Sequence, residues 1–170
     1  MKRRTLLATA AVALAAPRIG NAQAAKPLRF VHDGDLPVLD PVVSTYPTMN
    51  HAFMVFDTLY GQDNAYRIRP QMVTGHVTEN DGKTWKLTLR DGLMFHDGAK
   101  VLARDAIASV ARWGKRDSFG QALMARVDEM SAPDDRTIQI RLRTPFPLLP
   151  DALGHFSPSM CAIMPARLAE

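Results

Sequence analysis

Two short repeats hold the residue types best suited to do chemistry: His32-Asp33-Gly34 and His96-Asp97-Gly98. An imidazole beside a carboxylate is the usual material of a metal-dependent hydrolase. The other histidines stand at 51, 76 and 155, and no two of the set are four apart. Zinc ligands cluster more tightly than that. Asp-Gly is also a turn dipeptide, so the plainer reading puts each tripeptide at a turn with the histidine alongside. The chain has no G-x-S-x-G elbow and no glycine-rich phosphate loop. Cys161 is the only cysteine, so no disulfide can form within the chain. It sits in an apolar run, residues 160–164, and reads as a small buried residue. The expectation is a protein that is not an enzyme, with no metal and no cofactor.

Charge narrows the partners. Residues 1–24 contain Lys2, Arg3, Arg4 and Arg18 and no acids, which leaves 17 basic residues facing 17 acidic ones in the remainder. The formal charge of +4 therefore belongs to this first segment. A nucleic-acid partner normally requires a basic stripe, and none is present. The same segment has the form of an export signal: a basic start, a short apolar run over 6–16 and Ala22-Gln23-Ala24. Cleavage is expected after Ala24. The run is shorter than the roughly 20 apolar residues that span a bilayer. Arg3-Arg4 fits twin-arginine export, and a general secretory signal fits as well. Either route ends in the periplasm.

The elements that position the polar residues are legible in the pattern. Residues 84–90 alternate, with Trp85, Leu87 and Leu89 on one face. Residues 137–143 repeat this with Ile138, Ile140 and Leu142. A period of two marks half-buried antiparallel strands. Asp81-Gly82, Asp91-Gly92 and Asp97-Gly98 are turn signals. Residues 103–115 carry Ile107, Val110 and Ala111 at helical spacing. A further helix is expected from Thr48 to a C-terminal cap at Gly61, with Phe53, Met54, Phe56, Leu59 and Tyr60 as its apolar set. Residues 28–31 read as a first strand, 67–79 as extended chain and 127–132 as a weak strand. A short helical piece opens at Gly120, residues 133–136 form a turn, and Pro145, Pro147 and Pro150 break the chain before its tail.

Taken in order, Pro70, Asp81-Gly82, Leu89-Arg90, Phe95-His96-Asp97-Gly98 and Asp105 resemble the N-terminal part of the extracellular solute-binding proteins of family 5. These are peptide- and nickel-type receptors of ABC importers. Departures are Met72-Val73 in place of Leu-Ala, His76 or Val77 in place of Trp, and Leu102 in place of a capping Thr. A lost cap costs roughly 1 kcal/mol. The resemblance implies a mixed α/β fold: the N-terminal lobe of a type II, periplasmic-binding-protein-like receptor of two lobes. Residues 25–170 would form that lobe, incomplete and stopping before the second.

It also implies where ligand would sit. Leu39-Asp40-Pro41 resembles the family's L-D-P, which opens the segment approaching ligand, so Ser44, Thr45 and Tyr46 are the candidate ligand-binding residues. Chain between Pro41 and Pro47 is biased toward extended geometry. Its backbone groups could pair with a peptide-like ligand as an added strand does, and Tyr46 could cover it. The plain alternative is a surface loop. The implied function is the substrate-binding component of an ABC importer, taking a peptide, nickel chelate, sugar or related solute and docking on an inner-membrane permease. The competing reading is a small exported protein, enzyme or interaction module, whose likeness is architectural only.

Overall fold

The computed structural model describes residues 29–31, 34–43 and 46–169. The expected signal segment and its cleavage site, the start of the first expected strand at Leu28, and the candidates Ser44 and Thr45 lie outside the described residues. The chain divides into two compact units, residues 1–32 and 33–170. In the first unit residues 29–31 carry no strand, against expectation, and Phe30 and Val31 are exposed.

The second unit is mixed α/β, as expected. Its elements run α1 (Tyr46–Val55), β1 (Tyr60–Gln62), β2 (Ile68–Pro70), β3 (Val73–Glu79), β4 (Thr84–Leu89), α2 (Ala103–Trp113), α3 (Ser118–Met124), β5 (Val127–Ser131), β6 (Thr137–Leu142), α4 (Leu149–Gly154) and α5 (Ala166–Ala169). Four strands form an antiparallel sheet in the order β3-β4-β6-β5, and β1 and β2 form a separate antiparallel pair.

The two alternating segments make the centre of that sheet. β4 and β6 pair with Trp85 opposite Ile140 and Leu87 opposite Ile138. Leu87, Leu89, Ile138 and Ile140 are buried, and α2 adds Ala103, Ala106, Val110 and Trp113 to the same cluster. Each fully buried aliphatic or aromatic side chain contributes roughly 1.5–3 kcal/mol. The turn between β3 and β4 holds Asn80, Asp81 and Gly82 at φ 54°, 55° and 80°. This is left-handed backbone that Asn, Asp and Gly tolerate best. Trp85 donates its indole N–H to the Gly82 carbonyl at 3.0 Å, tying the turn to the strand.

Three elements depart from expectation, each for a local reason. Helix α1 ends at Val55, six residues before Gly61. Leu59 is captured instead by the chain ahead of β3: its carbonyl accepts from Gln71 and Val73. Tyr60 then opens β1. The buried face of α1 is Thr48, Met49 and Ala52, while Phe53 and Met54 point outward. On α2 Val110 is buried as expected and Ile107 is partly buried against the core, but Ala103, Ala106 and Trp113 complete the buried apolar face in place of Ala111. Finally, the proline-rich stretch contains α4. Pro150 falls in its first turn, where a helix needs no N–H from it. Gly154 closes α4 against β1, where a Cβ would lie 2.7 Å from that of Tyr60.

Leu102 precedes α2 without a side-chain cap, as its identity requires, but the helix start is not left open. Asp105, buried, accepts from the Leu102 N–H at 2.9 Å and from the Ala166 N–H at 2.8 Å. One carboxylate thus joins the start of α2 to the start of α5.

Two outcomes follow for denaturation in urea. Trp85→Ala should destabilise the domain by about 3–5 kcal/mol, the cost of emptying a large aromatic site at 5% exposure. A loss under about 1 kcal/mol would put the strand register in error. Asp105→Ala orphans two backbone donors and should cost roughly 2–4 kcal/mol. Asp105→Asn, which keeps one acceptor, should cost less. Equal, negligible losses for both would show that the staple carries no stability.

Candidate functional site

The segment 38–43 is built around Asp40. Its Oδ1 accepts from Arg112 Nη1 at 2.9 Å and from the Val42 N–H at 3.0 Å, while Oδ2 takes Arg112 Nη2. The pairing is bidentate, the geometry in which Arg recognises a carboxylate most strongly. The hydrogen bonds from Arg112 chiefly hold the Asp40 carboxyl below the usual carboxylate range, against the opposing effect of burial. The charge of Arg116 also favours its ionised form. Asp40 in turn raises the pKa of Arg112. With both shifts favouring the charged forms, the pair stays ionised at neutral and mildly acidic pH. Its stabilising effect is lost only as the pH falls through the lowered Asp40 titration.

Backbone and hydroxyl contacts hold the segment from the other side. The Met160 N–H donates to the Pro41 carbonyl at 3.1 Å and Ser159 Oγ to the Val42 carbonyl at 3.2 Å. Thr48 Oγ1 reaches back from α1 to the Val38 carbonyl at 3.1 Å. Ser159 is itself fixed: its carbonyl accepts the indole N–H of Trp113 at 2.9 Å, and its N–H donates to Ser157 Oγ at 3.2 Å. Ser157 Oγ donates to Asp117 at 3.1 Å. Asp117 caps α3 through the Phe119 and Gly120 N–H groups, so the network closes on a helix terminus.

Of the three candidates, Tyr46 is the one described. It begins α1 and is 62% exposed. Phe53 lies two turns further along the same helix face, and its ring stacks on that of Phe156 at a centroid distance of 4.8 Å. Phe156 is also exposed. Tyr46 does not line the open groove of about 520 Å³ that runs between Leu39-Asp40-Pro41, the 93–97 loop and residues 163–168. Arg112 lies on that groove's wall.

His32 and Asp33 lie outside the described residues, while Asp97, His76 and His155 make scaffold contacts. Asp97 accepts the Ala99 N–H at 3.0 Å and pairs with Arg167 at 2.8 Å, while Gly98 sits at φ 83°. His96 therefore stands beside a turn, as the dipeptide suggested. His76 Nδ1 meets the Tyr60 hydroxyl at 2.7 Å, and His155 Nδ1 meets the Ala152 carbonyl at 2.9 Å. His155 Nε2 is 3.8 Å from the Asp117 carboxylate. Among the described residues no group of His, Cys, Asp or Glu is arranged to hold a metal ion. Burial chiefly pushes the Cys161 thiol up, with the Asp117 carboxylate adding to it, away from thiolate reactivity. No helix among the described residues is long and apolar enough to cross a membrane.

Sequence reading missed Arg112 and Ser159. Arg112 falls in the last turn of α2, and its partner is 72 residues away. No spacing rule links them.

Residues 67–166 match the model of the bacterial extracellular solute-binding proteins, family 5 middle. A probable peptide ABC transporter periplasmic-binding protein of Sinorhizobium fredii is 40% identical over 154 residues, covering 88% of this chain and 29% of that protein. The glutathione-binding protein GsiB of Salmonella typhimurium is 27% identical over 117 residues, covering 68% of this chain and 22% of GsiB. Among solved structures, the periplasmic binding protein AgaA of A. tumefaciens, in complex with agropinic acid, superposes with a TM-score of 0.64 at 27% identity. That match covers 79% of this chain and 27% of AgaA. The chain thus spans less than a third of the length of these relatives. An architectural likeness alone does not produce 40% identity across most of a chain, so the standalone reading is not favoured. The chain belongs to the bacterial extracellular solute-binding proteins of family 5.

Proposed function

We propose that the chain is part of the substrate-binding component of an ABC importer, which holds a peptide or related small solute in the periplasm. The observation that carries this is the 40% identity to a probable peptide-binding relative across 88% of the chain. The relatives are solute-binding proteins, and the function proposed is binding without bond making. Residues 1–24 act as the export signal, with cleavage after Ala24, by a twin-arginine or general secretory route. Residues 25–170 are the N-terminal lobe, whose receptor presents its loaded form to a permease in the inner membrane.

Ser44, Thr45 and Tyr46 are the proposed ligand contacts. They follow directly on a segment fixed by Asp40, and Tyr46 leads an exposed aromatic face shared with Phe53. The backbone of 44 and 45 would pair with a peptide-like ligand as an added strand, while the Tyr46 ring covers it. Selectivity rests on individual side chains rather than on the fold. Ligand contact with two lobes shifts the population toward a closed state, and one lobe alone lacks that leverage.

Two measurements test this. Titrated with reduced glutathione or trialanine and followed by amide chemical shifts, the 170-residue chain should bind more weakly than roughly 1 mM, about −4 kcal/mol. Submillimolar affinity would refute the need for a second lobe. In a chimera that joins residues 25–170 to the remainder of the S. fredii relative, Tyr46→Ala should weaken peptide binding roughly tenfold, with little change in melting temperature. Unchanged calorimetric affinity would remove Tyr46 from the site.

A further inference from the structure

We propose that Arg112, seconded by Ser159, is the positioning device for the chain that leads to the proposed ligand segment: it sets the path of residues 40–43, immediately ahead of 44–46. The inference rests on the reading of 44–46 as ligand contacts and names what fixes the chain leading to them.

The argument begins with what segment 38–43 lacks. It forms no strand and no helix, so no ladder of backbone bonds determines its course. An irregular segment keeps one path only if its polar groups are captured individually. Beside the Met160 N–H on the Pro41 carbonyl and Thr48 Oγ1 on the Val38 carbonyl, the captures lead to the end of α2. Arg112 takes both oxygens of Asp40, and the next residue, Trp113, holds the Ser159 carbonyl through its indole N–H. Ser159 then donates to the Val42 carbonyl. Two adjacent residues of one helix thus control the segment from two sides, one through a side-chain pair and the other through a backbone relay.

The Asp40 carboxylate also fixes its own turn, because Oδ1 accepts the Val42 N–H while its carbonyl accepts the Val43 N–H at 3.1 Å. Arg112 therefore does more than tether the segment. Occupying the outer face of the carboxylate, it holds the rotamer in which Oδ1 meets Val42. Lys could supply the charge without the two-pronged geometry. The pair is about three-quarters shielded from solvent, with 28% and 26% side-chain exposure, so it is screened less than a surface pair.

Hydrogen exchange on the 170-residue chain reads the device without any ligand. In Arg112→Gln, the Val42 and Val43 amides should exchange at least about tenfold faster, while β4 and β6 amides stay within about twofold. Arg112→Lys should fall between wild type and Gln, and Ser159→Ala should loosen the same two amides. If Arg112→Gln does not fold, Asp40→Asn, which keeps the shape and removes the charge, replaces it. The proposal is overturned if the Val42 and Val43 amides keep their wild-type rates. It is equally overturned if segment and sheet lose protection together, since that marks a general loss of stability.

The chimera separates this from the ligand reading. With trialanine as the probe, Arg112→Gln should weaken affinity in parallel with Tyr46→Ala. If Tyr46→Ala weakens binding and Arg112→Gln does not, the positioning role falls while the ligand segment stands. If neither variant changes affinity but the exchange result holds, the reading of 44–46 falls and Arg112 keeps only a structural role, which also overturns the proposal as stated.

Discussion

The constraint on which this structure depends is the double seam of α2. Ala106, Val110 and Trp113 recur at helical spacing and pack into the cluster that covers β4 and β6. Asp105, Ser109 and Arg112 recur at the same spacing on a neighbouring face and make polar contacts. The first seam buries apolar area, which stabilises without regard to direction. The second is directional. Asp105 takes the Ala166 N–H, Ser109 Oγ meets both the N–H and the carbonyl of Met164, and Arg112 takes Asp40. A helix with only the apolar seam would cover the sheet and leave the irregular segments on either side without a fixed path.

Segments 38–43 and 157–165 carry almost no regular structure, yet residues 160–164 are buried. Burying irregular backbone leaves N–H and C=O groups without a ladder partner, and each unpaired group costs about 1–3 kcal/mol. The side chains of α2 and the cap of α3 supply partners to several of these groups. Asp117 shows the economy of the arrangement, because the carboxylate that caps α3 also receives the Ser157 hydroxyl. Polar residues in this interior are therefore a condition of burying the apolar run 160–164, including Cys161.

How much of this was legible in the sequence follows from the range of each interaction. Trp85, Leu87, Leu89, Ile138, Ile140 and Leu142 were readable as strand faces because pleat periodicity is a local signal. Asp81-Gly82 was readable as a turn because backbone φ is set largely by the residue itself. The end of α1 was not, since Leu59 is withdrawn from helical spacing by Gln71 and Val73, contacts made across a chain reversal. Pro150 misled for the opposite reason: a residue that breaks a helix interior is well suited to a first turn. Among the site residues, Tyr46 could be proposed from its place after Asp40-Pro41, whereas Arg112 and Ser159 could not. Their partners lie 72 and 117 residues away, and a single sequence carries no trace of such pairings.

The same anchors bear on how a receptor of this kind uses binding energy. A ligand segment that must be ordered on binding subtracts that ordering cost from affinity, on the order of 1–2 kcal/mol for each backbone residue fixed. Segment 38–43 already has its path fixed by Asp40, Pro41 and Val42, so ordering it costs a ligand little. If residues 44–46 contact ligand as proposed, energy from those contacts is then free to bias closure between lobes, because only contacts that differ between open and closed states shift that equilibrium. On the proposed reading the ionised Asp40–Arg112 pair lies upstream of recognition, because it fixes the segment that leads to the residues proposed to touch solute.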